Sequence, residues 1–293
     1  MINDVLVAPA GRIMPGSDTP ATIQACPGGA AAGQAAWMAH LGTQVSFVGR
    51  VGVGDADYHR RELARFGVRA HLAEDDQAGT GTIVIMVAPD SERTMFTDRG
   101  ANLRLRRSDL PPDLLDDAAV LHLTGYTFFE PALLEVALWL VGQARSRGMA
   151  VTIDPASAAF LARLEPGAFL RWTEGAAVCF PNRDEAAVLA GEGDPVTMAA
   201  RLTRHYGLVL LKLGAGGCVL AVPGEAPLRI PAYPAQARDS TGAGDAFCGA
   251  FMTRWLAAGP DLRTADLGPL TAAAGFAARV AASVVTRLGG RPA

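Results

Sequence analysis

A chain of 293 residues, half of them hydrophobic, is long enough to bury the core of one large α/β domain and does not require two. Its 26 basic and 29 acidic side chains are dispersed and sum to a net charge of −3, which argues against both a nucleic-acid surface and a polybasic membrane patch. The four cysteines, Cys26, Cys179, Cys218 and Cys248, show neither CxxC pairing nor a histidine at metal-ligand spacing, so free thiols in a reducing compartment are expected and no zinc site.

The first residues, Met1-Ile2-Asn3-Asp4-Val5-Leu6-Val7, carry no basic leader and no long apolar run, and a soluble cytoplasmic protein is the expectation. Further on, Gly81-Thr82-Ile83-Val84-Ile85-Met86-Val87 and Glu92-Arg93-Thr94-Met95-Phe96-Thr97 flank a Pro89-Asp90-Ser91 turn and read as a β-hairpin. Pro111-Pro112 marks a loop. From about residue 118 short aliphatic runs alternate with alanine- and leucine-rich segments of helical period, the pattern of a parallel sheet covered by helices. Strands are predicted over 119–123, 150–154, 177–180 and 208–212, the last of this series, with helices over 131–147 and 184–190 among the connections. Ligands of such sheets bind beyond the strand C-termini, so Tyr126, Asp154, Asn182, Lys212 and the Gly242 turn should share one edge. A last helix, rich in alanine and glycine, is predicted over 271–287. No repeat, low-complexity tract or linker divides the chain.

The segment Asp239-Ser240-Thr241-Gly242-Ala243-Gly244-Asp245-Ala246-Phe247 carries most of the chemistry. Gly242 and Gly244 let backbone approach a ligand, so the amides of Ala243, Gly244 and Asp245 can converge where a helix N-terminus already favours an anion. Asp245 beside that nest could take a proton from a substrate hydroxyl while the nest neutralises charge on a transferred phosphoryl group. The competing reading is a tight packing turn with Asp245 as a first-turn helix acid. Pro181-Asn182-Arg183-Asp184-Glu185 opens a helix after a strand, and Asn at the N-cap with Glu three residues later is also a capping box. Lys212-Leu213-Gly214-Ala215-Gly216-Gly217 ends a strand in a glycine turn, where a charged residue after an aliphatic run must face solvent or a ligand.

The Asp239–Phe247 segment resembles the C-terminal signature of the PfkB, or ribokinase-like, sugar kinases, Asp-Thr-x-Gly-Ala-Gly-Asp-x-Phe. A second family signature stands in its place some 200 residues earlier: Pro27-Gly28-Gly29-Ala30-Ala31-Ala32-Gly33-Gln34-Ala35-Ala36, then Leu41-Gly42, then Val48-Gly49-Arg50-Val51-Gly52. The resemblance runs over nearly the whole chain and implies a single ribokinase-like α/β domain over residues 1–293, a central mostly parallel sheet flanked by helices. It implies a small β-sheet lid from about 12–26 and 79–99, through which relatives form homodimers. It further implies an ATP-dependent kinase acting on a small sugar, sugar acid or nucleoside, with Asp245 as base and Gly242, Ala243 and Gly244 as the nest. By the same resemblance Asn182 and Glu185 organise Mg2+ and water around the nucleotide phosphates, Lys212, Gly214 and Gly217 contact ATP, and Ala277 and Ala278 wall the adenine. Gly28, Gly29, Arg99, Asn102 and Tyr126 lie toward the acceptor, and Asp239 with Thr241 and carbonyls near Val284 and Gly289 binds a monovalent cation such as K+. Structural readings stay open beside these: a capping Asp239, a solvated Arg99, a turn-forming Asn102, a gap-filling Tyr126, and core packing for the two alanines. His122 and His205 read as structural.

The chain also departs from the family. Relatives soon place an aspartate that grips substrate hydroxyls, whereas Val5-Leu6-Val7-Ala8-Pro9-Ala10-Gly11-Arg12 holds none, which leaves Asp18 as the nearest carboxylate. Gly33 stands where the family commonly has an asparagine that touches the sugar, and Ala30 where ribokinases proper place a lysine. Loss of such contacts also suits a second reading, a catalytically silent ligand-binding or regulatory protein, and a third, a nucleotide-binding module with an oligomeric role.

Overall fold

The computed structural model describes residues 1–87, 93–165, 167–259, 267–287 and 289–292. The chain starts with two strands, β1 (Ile2–Pro9) and β2 (Ala21–Gly28), then α1 (Ala30–His40), β3 (Val45–Gly52), α2 (Ala56–Ala64) and β4 (Val68–Asp75). β5 (Thr80–Val87) and β6 (Arg93–Gly100) pair antiparallel as the expected hairpin, whose Pro89-Asp90-Ser91 turn lies outside the described residues. They join β1 and β2 in a four-stranded sheet of order β2-β1-β5-β6. The expected small sheet is there, but its N-terminal part differs: the strands are 2–9 and 21–28, and residues 10–20 form an exposed loop. Gly11, Pro15, Gly16 and Pro20 break the pairing there, while the apolar run Val5-Leu6-Val7 suits a strand. Ile23 on the edge strand β2 and Met95 and Phe96 on the opposite edge strand β6 are exposed apolar residues of this sheet.

The second half builds a six-stranded sheet. After β7 (Val120–Thr124) come α3 (Pro131–Ser146), β8 (Ala150–Asp154), the short helices α4 (Ala158–Leu161) and α5 (Ala168–Thr173), β9 (Val178–Cys179), α6 (Arg183–Ala190), α7 (Pro195–Leu202) and β10 (Leu208–Lys212). β7 to β10 are parallel neighbours, as predicted. The chain then reverses at Gly214–Gly216 and adds β11 (Cys218–Ala221) and β12 (Leu228–Ile230) antiparallel at the edge, giving the order β12-β11-β10-β9-β8-β7. Two helices close the described chain, α8 (Ala243–Ala257) and α9 (Leu267–Val284).

The strand period of two divides the core. Val209 and Leu211 face one cluster with Val136, Leu140, Met198 and Leu202 of α3 and α7, while Leu208 and Leu210 face another with Phe247, Phe251, Met252 and Trp255 of α8. Aliphatic side chains buried on both faces explain why β10 reads as an unbroken apolar run. α9 is long and apolar enough to cross a bilayer by length and composition, but Ala273, Ala274, Ala277 and Ala278 face the core alongside α8. Gly249 positions the site: a Cβ there would lie 2.7 Å from the Trp37 Cβ, so its absence lets α8 settle against α1. That close crossing brings Gly33 and Gln34 of α1 to Asp245 in the first turn of α8.

Candidate active site

α8 starts from Gly242, whose φ of 73° favours glycine and where a Cβ would lie only 2.3 Å from the Cα of Gly290. The turn is pinned from behind: the Asp239 carboxylate accepts the Thr241 amide at 2.8 Å and the Gly289 amide at 3.0 Å, and Trp37 Nε1 donates to the Gly290 carbonyl at 2.7 Å. The Val285 carbonyl accepts from the amides of Arg238 and Asp239. Ala246 makes the first helical bond, to the Gly242 carbonyl, and the amides of Gly244 and Asp245 find no acceptor among the described residues. Ala243 differs from expectation, because its amide is spent on the Ser240 carbonyl at 3.3 Å. The anion cradle is therefore the Gly244 and Asp245 amides at the positive end of α8.

The Asp245 carboxyl is pushed up to about 7, first by burial and then by the neighbouring Asp154 carboxylate, against the pull of Lys212, Gln34 and Arg291. Its Oδ1 accepts from Gln34 Nε2 at 3.1 Å. Oδ2 lies over Gly33, where a Cβ would come within 2.9 Å of it. Gly33 is thus explained by the space Asp245 occupies. Lys212 Nζ donates to Asp154 Oδ2 at 3.2 Å and sits beside Gly244, 3.7 Å from where a Cβ would be. Burial works against the Lys212 charge, but Asp154, Cys248 and Glu185 outweigh it and hold the ammonium above its ordinary value. A charge kept on beside two free amides adds to the cradle's preference for an anion.

A cleft of about 630 Å³ opens beside the cradle, lined among others by Asn182, Arg183, Lys212, Gly214, Gly216 and Arg229. It unites three of the residues expected at the nucleotide and leaves others out. Gly217 has φ of 81° and a Cβ there would lie 2.0 Å from the Ile230 carbonyl, so that glycine serves the approach of β12. Ala277 and Ala278 are buried in the core and wall no adenine; their small size lets α9 pack closely. Asn182 and Glu185 form the capping box in full: Asn182 Oδ1 accepts the Glu185 amide at 2.9 Å, and the two Glu185 oxygens each accept a bond from Asn182 at 2.8 Å. Burial pushes the Glu185 carboxyl up to about 7. Glu185→Ala is expected to cost about 1–2 kcal/mol of stability through the broken box, read as a lower urea midpoint. A midpoint unmoved by the change would show that the box does not hold α6.

On the side expected to take the acceptor, Gly28 ends β2 and Gly29 caps α1 with φ of 96°. A Cβ on Gly28 would overlap the Asp4 carboxylate, 2.1 Å from Oδ2, so Asp4 lies directly on this turn. Burial pushes the Asp4 carboxyl up to about 6 against the opposing pull of Arg291, whose Nη2 donates to the Gly28 carbonyl at 3.2 Å. Asp18 sits in the exposed 10–20 loop beyond the far end of β2. β2 spans seven steps from Ala21 to Gly28, so that loop begins roughly 23 Å from the turn. Asp4, not Asp18, is the carboxylate beside Gly28 and Gly29. The one acid of β1, in a strand apolar but for Asn3 beside it, was the sequence signal for it. Arg99 stacks on the Tyr126 ring at 3.9 Å from its centroid, joining two of the expected residues. Asn102 instead ties the chain start to the hairpin, accepting from the Met1 amino group and donating to the Met1 and Arg99 carbonyls. Asp239, with both oxygens holding amides, acts here as a backbone staple, and no group of three or more His, Cys, Asp or Glu among the described residues is placed to hold a metal.

The Asp245 carboxyl beside the free Gly244 and Asp245 amides, with Asp4 on the Gly28–Gly29 turn, completes the geometry of the site. Residues 2–293 match the family described as pfkB family carbohydrate kinase. The chain belongs to this family. The bifunctional protein HldE of Shewanella amazonensis is 30% identical over 98% of the chain, which spans 60% of that protein's length. Ribokinase of Mus musculus is 30% identical over 82% of the chain and 74% of its own. Among solved structures, adenosine kinase from Sinorhizobium meliloti superposes with a TM-score of 0.83 at 22% identity, covering 99% of this chain and 94% of that one. The family fold accounts for the four-stranded and six-stranded sheets, with helices flanking the larger one.

Proposed function

We propose that this pfkB-family protein is an ATP-dependent phosphotransferase that phosphorylates a hydroxyl of a sugar, sugar acid or nucleoside. The observation that carries this reading is the Asp245 carboxyl beside the unpaired amides of Gly244 and Asp245, between the Lys212 cleft and the Asp4–Gly28 turn. Bound ATP would supply the phosphoryl group. Asp245 takes the acceptor hydroxyl proton on the oxygen that Gln34 leaves free, and the cradle with Lys212 stabilises the charge spreading over the phosphoryl oxygens. Gly28 and Gly29 present backbone to the acceptor, and Asp4 receives one of its hydroxyls.

Each Glu185 oxygen accepts one bond from Asn182 and keeps a further lone pair, which fits Mg2+ held through water. Glu185→Gln should then raise the Mg2+ requirement. The Asp239 staple is a poorer fit for K+, and no step is assigned to that ion. Exposed apolar side chains on both edge strands, Ile23 on β2 and Met95 and Phe96 on β6, support a homodimer through the small sheet, and four unpaired cysteines suit a cytoplasmic setting.

Two of the three departures from the family do not require a silent protein, since Gly33 makes room for Asp245 and Asp4 supplies the missing carboxylate. A screen of sugars, sugar acids and nucleosides for acceptor-dependent ADP release tests the proposal. ATP binding with no turnover on any acceptor would replace it with the silent reading. On the true acceptor, Asp4→Ala should lower kcat/KM about 10-fold or more with ATP binding unchanged, because a buried hydroxyl loses a charged partner. Asp18→Ala is expected to leave monomer kinetics untouched, and the reverse pattern would return the role to Asp18.

A further inference from the structure

Gln34 is buried, and its side chain spans the space between two carboxylates. Its Nε2 donates to Asp154 Oδ2 at 2.7 Å and to Asp245 Oδ1 at 3.1 Å, one hydrogen for each. With both hydrogens committed, Gln34 Oε1 needs a donor, and His122 Nε2 stands 2.6 Å away. His122 therefore carries its proton on Nε2, and its Nδ1 accepts from Thr152 Oγ1 at 2.8 Å. Burial pulls His122 down to about 4, so the ring is neutral at physiological pH. Every hydrogen bond in this relay then points one way, from Thr152 through His122 and Gln34 to Asp245.

We propose that Gln34, aimed by His122 and Thr152, is a positioning residue for Asp245: it occupies Oδ1, turns Oδ2 over Gly33 toward the acceptor, and separates Asp245 from Asp154. The proposal rests on the phosphotransfer reading for its kinetic consequence, but the geometry stands without it. Asp245 is faced by Gln34 from α1, Asp154 from β8, Lys212 from β10 and Arg291 from the chain beyond α9, with Cys248 beside it on α8 and His122 behind Gln34. Lys212 already answers the Asp154 charge, which leaves Gln34 as the hydrogen-bond donor to Asp245. Loss of the Gln34 amide removes the donor that favours the ionised base, so Asp245 should hold its proton to higher pH.

The test compares Gln34→Leu, the near-isosteric Gln34→Glu and His122→Phe by two readouts. One is infrared titration of the Asp245 carboxyl, assigned by difference against Asp245→Asn. The other is the pH profile of kcat/KM for acceptor-dependent ADP release. Both Gln34 variants should move the Asp245 titration and the acid limb upward together, by about one to two pH units, the scale of a lost hydrogen bond to a charge. His122→Phe should move them the same way by less, and ATP affinity should hold throughout. Gln34→Glu serves if Gln34→Leu fails to fold, since it preserves shape while removing the amide donor. An unmoved titration in a folded, ATP-binding Gln34→Glu overturns the proposal. If the titration moves but Asp245→Asn keeps full turnover, the phosphotransfer reading falls and the positioning role of Gln34 stands.

Discussion

Asp245→Asn is expected to lower turnover by about 10²-fold or more while ATP affinity holds, the scale for losing a positioned base. The amide keeps the size of the side chain and leaves the free backbone donors of α8 in place, so what disappears is the ability to accept a proton. The wild-type pH profile should carry the same signature. A base works only when ionised, and burial beside Asp154 pushes this one up to about 7. Activity should therefore fall as pH drops through 7, nearing ten-fold per unit on the acid side, and the residual activity of the Asn variant should lose that limb. Initial rates of ADP release across pH, with calorimetric titration of ATP, measure both. Near-normal turnover in the variant would take Asp245 out of the chemistry.

Gly242→Ala should be the next most damaging change, and for a different reason. The residue has φ of 73°, and a Cβ would lie 2.3 Å from Gly290 Cα and 2.6 Å from its carbonyl oxygen, all backbone that no side-chain rotation relieves. Strain and overlap together should cost about 2–3 kcal/mol, seen in the urea midpoint. Moving the turn also moves the Gly244 and Asp245 amides off the phosphoryl position, and loss of one such donor is worth about 10²-fold in rate. Gly244→Ala is the control, because a Cβ there meets only the Lys212 ammonium at 3.7 Å. Its stability should stay within about 1 kcal/mol of wild type. Equal stability losses at the two glycines would mean that the contact with Gly290 is not what restricts position 242.

What could be read from the chain was what is local in it. β10 announces itself because a strand buried on both faces is a continuous aliphatic run, β7 and β8 as short β-branched or aliphatic stretches between helical segments, and the Gly242–Asp245 turn because its glycines and acid are adjacent. β11 and β12 escaped because runs of four and three residues carry too little periodicity to mark a strand. The site was half legible for the same reason. Gln34 lies 211 positions from Asp245 and 120 from Asp154, and only the α1–α8 crossing at Gly249 brings them together. His122 reads as a structural histidine until Gln34 is seen to need its proton. Ala277 and Ala278 misled in the opposite sense, since a smooth alanine face suits a helix contact as well as a ring, and here the helix contact prevailed.

The closure of the Gly242 turn by Val285, Gly289 and Gly290 has a bearing on how the protein is made. Synthesis runs from N to C, and all three sheets of the described residues are complete in sequence by Ile230, well before the chain that braces the cradle. A nascent chain can therefore pair its strands while the segment around Gly242 still lacks Val285, Gly289 and Gly290 to hold it. On that order the turn is braced only after the sheets can form, so a partly made copy would hold paired strands while the Gly244 and Asp245 amides were still loose.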